Sequence, residues 1–255
     1  DRSGTLELCD FMPVGPEGRR PGYAEMHRRL TCTRGQMDVS VRFSPRFDYG
    51  VHPAHLIPRQ NGLLATDDDN EAAALSAPPD LWWQIGDDGA CAQLRLLAGE
   101  SAWFVLRYDD DEVLPIAAYQ SDERLKQTIA FWDGWVATIK YEGKHRAVVE
   151  RSALTLKLLC YQPTGAIIAA PTTSLPEEIG GERNWDYRFV WLRDASFTLD
   201  ALQGLGQYEE ASAFISFLRR IMRKATDSHL QIMYGVDGSR ELPERTLPHL
   251  SGYRD

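Results

Sequence analysis

The period of the hydrophobic pattern changes at about residue 120, and this change constrains the fold more than any other feature of the sequence. Before it, runs such as MDVSVRF alternate apolar and polar residues, with Met37, Val39, Val41 and Phe43 on one face. After it, apolar residues recur at steps of three and four. A period of two is typical of half-buried strands, and a period near 3.6 is typical of amphipathic helices. The sequence therefore predicts a β region followed by an α region.

Short runs bounded by turn-rich segments make up the β region, which we place at residues 1–120. Regular short strands of this kind predict an antiparallel β-sandwich. The opening run reads like the middle of a strand, so we expect the start of this domain to be missing. The runs are TLELCDFMP, MHRRLTCT, MDVSVRFSPRF, LWWQIG, CAQLRLLAG and SAWFVLRYD.

Helical segments follow the β region. The first, SDERLKQTIAFWDGWVATIKY, has Ser121 at an N-cap position ahead of acidic first-turn residues, and we predict a linker helix at 121–142. Residues 143–255 carry three more helices joined by long loops. Such an order predicts an array of helical hairpins or a toroid, with the functional site in the loops. The three helices are HRAVVERSALTLKLLCYQ, FTLDALQGLG and QYEEASAFISFLRRIMRKA.

Charge disfavours one class of partner. The net charge is -9, from 37 acidic and 28 basic residues. Because phosphate binding depends on clustered Lys and Arg, we expect no nucleic-acid partner. No run approaches the roughly 20 apolar residues that span a membrane, so we expect no membrane partner either.

The four cysteines, Cys9, Cys32, Cys91 and Cys160, are scattered without the spacing of a zinc site. A disulfide between two of the first three stays open, whereas Cys160 in LTLKLLCYQ is expected to be a buried, reduced thiol. Unpaired cysteines favour a cytoplasmic location.

Two histidines in VHPAHLIPRQNGLL, His52 and His55, have a spacing that could suggest a metal site. Two prolines argue against a helix there, and no Asp or Glu is close by in the sequence. We therefore expect loop histidines without a metal, and we predict no metal ligands and no cofactor.

The adjacent Arg193 and Asp194 lie in the aromatic run NWDYRFVWLRDASFTLDAL, where a helix begins. One interpretation is structural: Asp194 interacts with the helix N-terminus and Arg193 pairs with a nearby acid. The other is functional. An Arg fork of donors and an Asp pair of acceptors can together bind two neighbouring hydroxyl groups of a sugar.

The helix that follows favours the functional interpretation. Its apolar residues lie on most of its faces, which predicts an inner helix whose N-terminal end opens into the domain interior. A buried charged pair there would need partners, and a polyol supplies them. Trp185, Tyr187 and Trp191 would form the walls of a pocket the size of one monosaccharide. The apolar positions are Phe197, Leu199, Ala201, Leu202 and Leu205.

The run PTTSLPEEIGGERNWDYRFVWLRDASFTLDAL resembles the signature of family 15 glycoside hydrolases, the glucoamylase and bacterial trehalase-like enzymes. The resemblance covers nearly the whole chain, and it implies an N-terminal β-sandwich, a linker helix and an (α/α)6 catalytic barrel. Further matching segments, in order, are CDFMP, RFSPRFDYG, FWDGW, YQPTGAIIAAPTTSLPE and MYGVDGSRELPERTLPHLSGYR.

The resemblance assigns roles to the motif. In the family, the Arg-Asp pair of the WxRD motif hydrogen-bonds hydroxyls of the non-reducing-end glucose, a role that falls on Arg193 and Asp194. Tyr187 then lies beside the same sugar, and Trp191 supports the pocket.

Neighbouring segments are expected to support the motif. Trp185 and Asp186 belong to its opening and position it. The loop at 250–254 is expected to approach from the other side, although Asp255 departs from the Gly expected after GYR.

The resemblance also implies what lies elsewhere. Family 15 enzymes invert the anomeric centre with a Glu acid and a Glu base separated by room for a water molecule. Both positions are expected beyond Asp255, so we assign no catalytic residue. The acidic residues that do not occupy the matching places are Glu177, Glu178, Glu182, Asp186, Asp194, Glu241 and Glu244. We expect Glu177 and Glu178 to form a solvated turn, and the chain to be part of a longer polypeptide that closes the barrel and without which it is inactive.

The leading functional prediction is an inverting, exo-acting α-glucoside hydrolase of the glucoamylase type, which releases glucose from non-reducing ends of α-glucans or oligosaccharides. The alternative is an α,α-trehalase, which needs the same pocket for the first glucose. Two interpretations from other classes are a non-catalytic carbohydrate-binding protein and a structural helical platform.

Overall fold

A computed structural model describes residues 4–14, 24–69, 71–108, 110–224 and 229–254. It divides into two compact units, Asp1–Phe131 and Trp132–Asp255. An antiparallel β region is followed by helices, which confirms the coarse prediction from the hydrophobic period. The finer division into 1–120, 121–142 and 143–255 stays a prediction.

The first unit contains one antiparallel sheet of eight strands. The strands run along the sheet in the order β3-β4-β5-β8-β2-β7-β6, and β1 pairs with β2. Their bounds are β1 Gly4–Phe11, β2 Glu25–Phe43, β3 His55–Arg59, β4 Gly62–Thr66, β5 Ala72–Ser76, β6 Gln84–Gly86, β7 Gly89–Leu97 and β8 Ser101–Tyr108.

The central strand β2 is longer than predicted. The sequence pattern divides it into two runs, but its 19 residues are continuous through Gly35. Its first part pairs with β1 and β8, and its second part pairs with β7. Residues 36–43 show the predicted alternation, and Met37, Val39, Val41 and Phe43 pack against a core that includes Leu30 and Phe104.

Strands β3, β4 and β5 are absent from the sequence-based prediction. Pro58 disfavours a strand at its position, yet β3 is the last strand in the sheet order, where a missing N–H is tolerated. Alanines dominate β5, and alanine has low β-propensity. All five residues of β5 are nevertheless buried, so tertiary packing outweighs propensity here.

The segment predicted as the linker helix forms α1, Ser121–Ala137. Ser121 is the first helical residue, and its hydroxyl lies 2.9 Å from Nδ1 of the fully buried His27 on β2. The opposite ring nitrogen lies 3.2 Å from Glu25. The predicted N-cap serine is therefore a buried hydrogen-bonding partner of the sheet.

Within its described residues, the second unit contains three further helices and two short strand pairs. Helix α4 follows the predicted segment closely, although Ala225, predicted to end it, lies outside the described residues. Helix α2 ends four residues before its predicted end, and Cys160–Tyr161 form a short strand instead. Helix α3 begins five residues before the predicted FTLDALQGLG. The bounds are α2 Arg146–Leu158, β9 Cys160–Tyr161, β10 Ala166–Ile167, β11 Val190–Trp191, α3 Leu192–Gly204, α4 Glu209–Lys224 and β12 Met233–Tyr234.

Helix α4 presents an apolar face to the core of this unit. Phe214, Phe217 and Ile221 are each at most 3% exposed. They pack with residues of β10, β11, α3 and β12. The core of the second unit thus holds together the elements on which the predicted sugar-binding motif lies.

A buried carboxylate joins three helices of this unit. Glu210 on α4 accepts hydrogen bonds from Lys157 on α2 at 2.6 Å and from Trp135 on α1 at 3.4 Å. Burial alone would raise the pKa of Glu210, but the hydrogen bond from Lys157 and the other polar contacts outweigh it, and the pKa is lowered.

The four cysteines are free thiols, so the open disulfide alternative is wrong in this structure. Cys160 is a reduced thiol as expected but is only partly buried, and this burial raises its pKa to about 11. Among the described residues, no helix combines the length and apolar character needed to cross a membrane.

Candidate functional site

The two halves of the predicted motif region are held together by an irregular antiparallel ladder. Backbone hydrogen bonds of 2.7–3.2 Å connect residues 169–174 with residues 185–189. The sequence here is rich in Pro, Thr and Gly and predicts no regular structure. The ladder shows how such a segment satisfies its backbone groups. The bonds are Ala169 to Phe189, Ala170 to Tyr187, Tyr187 to Thr172 and Ser174 to Trp185.

Glu177 closes the loop between these two strands. Its Oε1 accepts a hydrogen bond from Nε1 of Trp185 at 2.9 Å, and its Oε2 lies 3.7 Å from Arg183. The backbone N–H of Glu177 also donates to the carbonyl of Arg183 at 3.2 Å. Glu177 and Glu178 are both exposed, as expected of a solvated turn, and the carboxylate of Glu177 in addition accepts the indole N–H of a residue eight positions away.

Asp186 is held by its neighbour Arg188. Asp186 Oδ1 accepts from the backbone N–H and the Nε of Arg188 at 2.9 and 3.0 Å, and Oδ2 accepts from Nη2 at 2.7 Å. The Asp186 side chain is only 17% exposed. These bonds fix the turn on which Tyr187 lies, half-buried, between the two residues. The expectation that Asp186 positions the motif stays a prediction.

Strands β11 and β12 set the start of helix α3. Val190 pairs with Tyr234 and Trp191 pairs with Met233. Val190 and Tyr234 are at most 1% exposed, so the junction is fixed in the core. The indole N–H of Trp191 is buried and has no hydrogen-bond partner among the described residues. A buried donor of this kind calls for an acceptor.

Arg193 and Asp194 lie in the first turn of α3, directly after this junction. Nη2 of Arg193 donates to Oδ2 of Asp194 at 3.2 Å, and the guanidinium lies 5.9 Å from the centre of the Trp191 ring. The side chains are 72% and 40% exposed. The expectation that the pair is buried is therefore wrong in this structure, and burial does not by itself argue for a ligand.

The exposure of the pair has a cause in helix α3. Ala195, Thr198 and Leu202 are buried, but Phe197 is 70% exposed. Helix α3 packs against α2 and α4 on one side only among the described residues, so the prediction of an inner helix is wrong here. Phe197 lies on the uncovered side, one turn after Arg193.

The six predicted site residues thus fall into two groups. Arg193 contacts Asp194 and Trp191 in the first group. In the second, Trp185 bonds Glu177, Asp186 bonds Arg188, and the backbone of Tyr187 bonds Ala170 and Thr172. A Cβ placed on Gly252 would lie 3.9 Å from Nδ2 of Asn184, and the approach of residues 250–254 to the site stays a prediction. Asp255 lies outside the described residues. Glu241 and Glu244 are exposed.

Comparison with known proteins decides the family. The model of glycosyl hydrolases family 15 matches residues 143–255, which include the ladder, the β11–α3 junction and the loop around Gly252. Residues 143–255 of the chain belong to glycosyl hydrolases family 15. The match confirms the resemblance inferred from the NWDYRFVWLRD motif.

Similarity to curated relatives extends over both units. A trehalase of Thermoplasma volcanium is 34% identical over 249 residues, and one of Mycolicibacterium smegmatis is 36% identical over 273. Trehalase 2 of Sulfolobus acidocaldarius is 42% identical over 255 residues. Each alignment covers 98% of this chain but 39%, 41% and 42% of the relative. The chain spans about two fifths of the length of these relatives.

Proposed function

We propose that the whole protein is an α,α-trehalase, which hydrolyses the bond between the two anomeric carbons of trehalose. The observation that supports this most is the similarity to relatives named trehalase over 98% of the chain. It favours the alternative from the sequence analysis over the leading prediction of a glucoamylase-type enzyme.

In this proposal Arg193 and Asp194 bind one glucose unit. Their planar donors and acceptors suit adjacent hydroxyls, and their exposure in the structure leaves them accessible to a sugar. Their mutual contact of 3.2 Å keeps both groups at one point of α3. The buried N–H of Trp191 is a further candidate donor.

The ladder supplies the wall of the same pocket. Tyr187 contacts the sugar ring face, and Trp185 and Asp186 hold that wall through Glu177 and Arg188. The first unit is proposed to form the β-sandwich of the family. Further helices of the whole polypeptide are proposed to complete an (α/α)6 barrel and to cover Phe197.

Hydrolysis in this proposal is carried out by two glutamates outside this chain. One protonates the bridging oxygen while the other activates a water on the opposite face of the sugar. Without them, this chain alone is proposed to bind glucose units but not to hydrolyse. The predicted cytoplasmic location, and the absence of metal, nucleic-acid and membrane partners in the sugar reaction, stay predictions.

The experiment is a comparison of substrates with the whole protein. Glucose release is measured from trehalose, maltose, isomaltose and starch, and we expect the highest kcat/KM with trehalose. Faster release from maltose or starch would instead identify a glucoamylase-type enzyme. Saturable trehalose binding without glucose release would identify a carbohydrate-binding protein.

A further inference from the structure

A histidine and two carboxylates meet in the first unit, away from the sugar-binding motif. Nδ1 of His52 lies 3.3 Å from Oδ2 of Asp67 and 3.3 Å from Oδ2 of Asp69. The three ligand atoms all lie within 4.8 Å of one another. The sequence predicts no metal here because no acid follows His52 closely. Pairing of β3 with β4 brings the segments together, since the first residue of β3 pairs with the last of β4.

The carboxylate of Asp67 is the second observation that points to a cation. Its side chain is 0% exposed. Oδ1 accepts the backbone N–H groups of Asp69 at 3.0 Å and Glu71 at 2.8 Å, which leaves Oδ2 directed at His52. Among the described residues, no Lys or Arg nitrogen lies within 4.0 Å of this carboxylate. A buried carboxylate without a permanent cation calls for a counter-charge.

We propose that His52, Asp67 and Asp69 form a binding site for a divalent transition-metal ion of the zinc type. Zinc–ligand bonds of about 2.1 Å at tetrahedral angles place two ligand atoms about 3.4 Å apart. This distance is close to the 3.3 Å that separates Nδ1 of His52 from each of the two carboxylate oxygens. One imidazole with two carboxylates suits zinc and its neighbours, whereas calcium and magnesium favour oxygen ligands alone. Two carboxylates also balance the charge of the ion.

The exposure of the ligands defines the rest of the coordination. Asp69 is 70% and His52 is 32% exposed, so water reaches the ion and supplies the remaining position. The ion would tie the loop after the turn at Asp48–Gly50 to the turn between β4 and β5. We therefore assign it a structural role, because an ion that binds only the folded state stabilises it.

The neighbouring pair His55 and Asp68 offers a matched control. His55 Nε2 lies 3.1 Å from Asp68 Oδ1, and their side chains are 58% and 81% exposed. The residue types are the same and the segments are the same, but only two groups meet. Asp68→Asn and His55→Gln should leave metal binding unchanged.

The test uses the whole protein, freed of metal with EDTA and titrated with ZnCl2 by calorimetry. The test variants are His52→Gln and Asp69→Asn, because the exposed side chain of Asp69 can change without disturbing the fold. Outer-shell partners alone are worth about 10- to 100-fold in affinity, so loss of a ligand should weaken zinc binding at this site at least that much. Added zinc should raise the Tm of the unaltered protein and of Asp68→Asn, but not that of Asp69→Asn.

The comparison between variants isolates this site from any other metal site of the whole protein. Equal zinc affinity in Asp69→Asn and in the unaltered protein would overturn the proposal. So would an equal loss of zinc affinity in Asp68→Asn. Activity on trehalose does not enter the test, so the two proposals stand or fall separately.

Discussion

Gly165 is the position where the structure predicts the sharpest effect of a small substitution. It lies in the turn between β9 and β10 with φ +76, and a Cβ there would lie 2.4 Å from the carbonyl oxygen of Ala213 and 2.6 Å from its carbonyl carbon. Both atoms belong to the backbone of α4, which cannot rotate aside. Gly165 therefore sets how closely β10 approaches α4, next to the start of the ladder that carries Tyr187.

The cost of Gly165→Ala has two parts. A left-handed conformation costs a residue with a Cβ about 1–2 kcal/mol. Overpacking against a fixed neighbour typically costs a further 1–3 kcal/mol, roughly. We expect Gly165→Ala to lower the free energy of unfolding by about 2–5 kcal/mol.

Two other glycines of the second unit separate these parts. Gly180 has φ +79, but a methyl group added there would meet nothing within 4 Å, so Gly180→Ala should cost only the conformational part, about 1–2 kcal/mol. Gly204 ends α3 in an ordinary helical conformation with nothing within 4 Å, and Gly204→Ala should be neutral or stabilise by about 0.5–1 kcal/mol.

The assay is urea unfolding of the whole protein, followed by Trp fluorescence and circular dichroism. We expect the order Gly165→Ala, Gly180→Ala, Gly204→Ala from most to least destabilised. If Gly165→Ala and Gly180→Ala cost the same, the contact with the α4 backbone contributes nothing and the reasoning is refuted.

Three further predictions concern individual side chains. Lys157→Met should lower the free energy of unfolding by up to about 3 kcal/mol, because it leaves Glu210 buried without its cation. The pKa of Glu210 is lowered in the folded state, so the stability that this carboxylate contributes is complete above its unfolded pKa and is lost as the pH falls through its folded pKa. Urea unfolding at a series of falling pH values should show this loss of stability. A free energy of unfolding that does not change with pH would contradict the prediction. Glu177→Ala should raise the KM for trehalose about fivefold with little change in kcat, because it removes one hydrogen bond that positions Trp185 and that is worth roughly 1 kcal/mol. The control Glu178→Ala should leave both KM and kcat unchanged. Phe197→Ser should destabilise the whole protein by about 3 kcal/mol, because further helices of the polypeptide are proposed to cover this residue. An unchanged Tm of the variant would argue against these covering helices.

The sequence predicts the elements whose burial pattern is regular. The alternation of residues 37–43 and the apolar face of α4 each bury one side, so the period of the pattern reports the geometry directly. The motif NWDYRFVWLRD predicts the family because its residues are specific, not because of their period.

Other features depend on partners distant in the sequence. Strand β5 is rich in alanine and forms a strand only because neighbouring strands of the sheet pair with it. Pro58 is tolerated in β3 only because this strand lies at the edge of the sheet. The approach of His52 to Asp67 follows from strand pairing, and the contact of Glu177 with Trp185 follows from the closure of a loop. No local pattern carries this information.

The prediction that failed most clearly is the burial of Arg193 and Asp194. This prediction rested on the apolar residues that lie on most faces of α3. Such a pattern indicates that the helix can be covered on several sides, but it does not tell which neighbouring elements are present to cover it. In this structure Phe197 lies uncovered, and the charged pair is exposed with it.

The binding of glucose units by Arg193 and Asp194 is the central claim, and calorimetric titration of the whole protein with trehalose tests it most directly. A hydrogen bond to a charged group is worth about 1.5–3 kcal/mol, so Arg193→Ala and Asp194→Asn should each weaken binding about 10- to 150-fold, while Arg219→Ala, an exposed arginine on α4, should not. Unchanged affinity in both motif variants, with the fold intact by circular dichroism, would contradict the account.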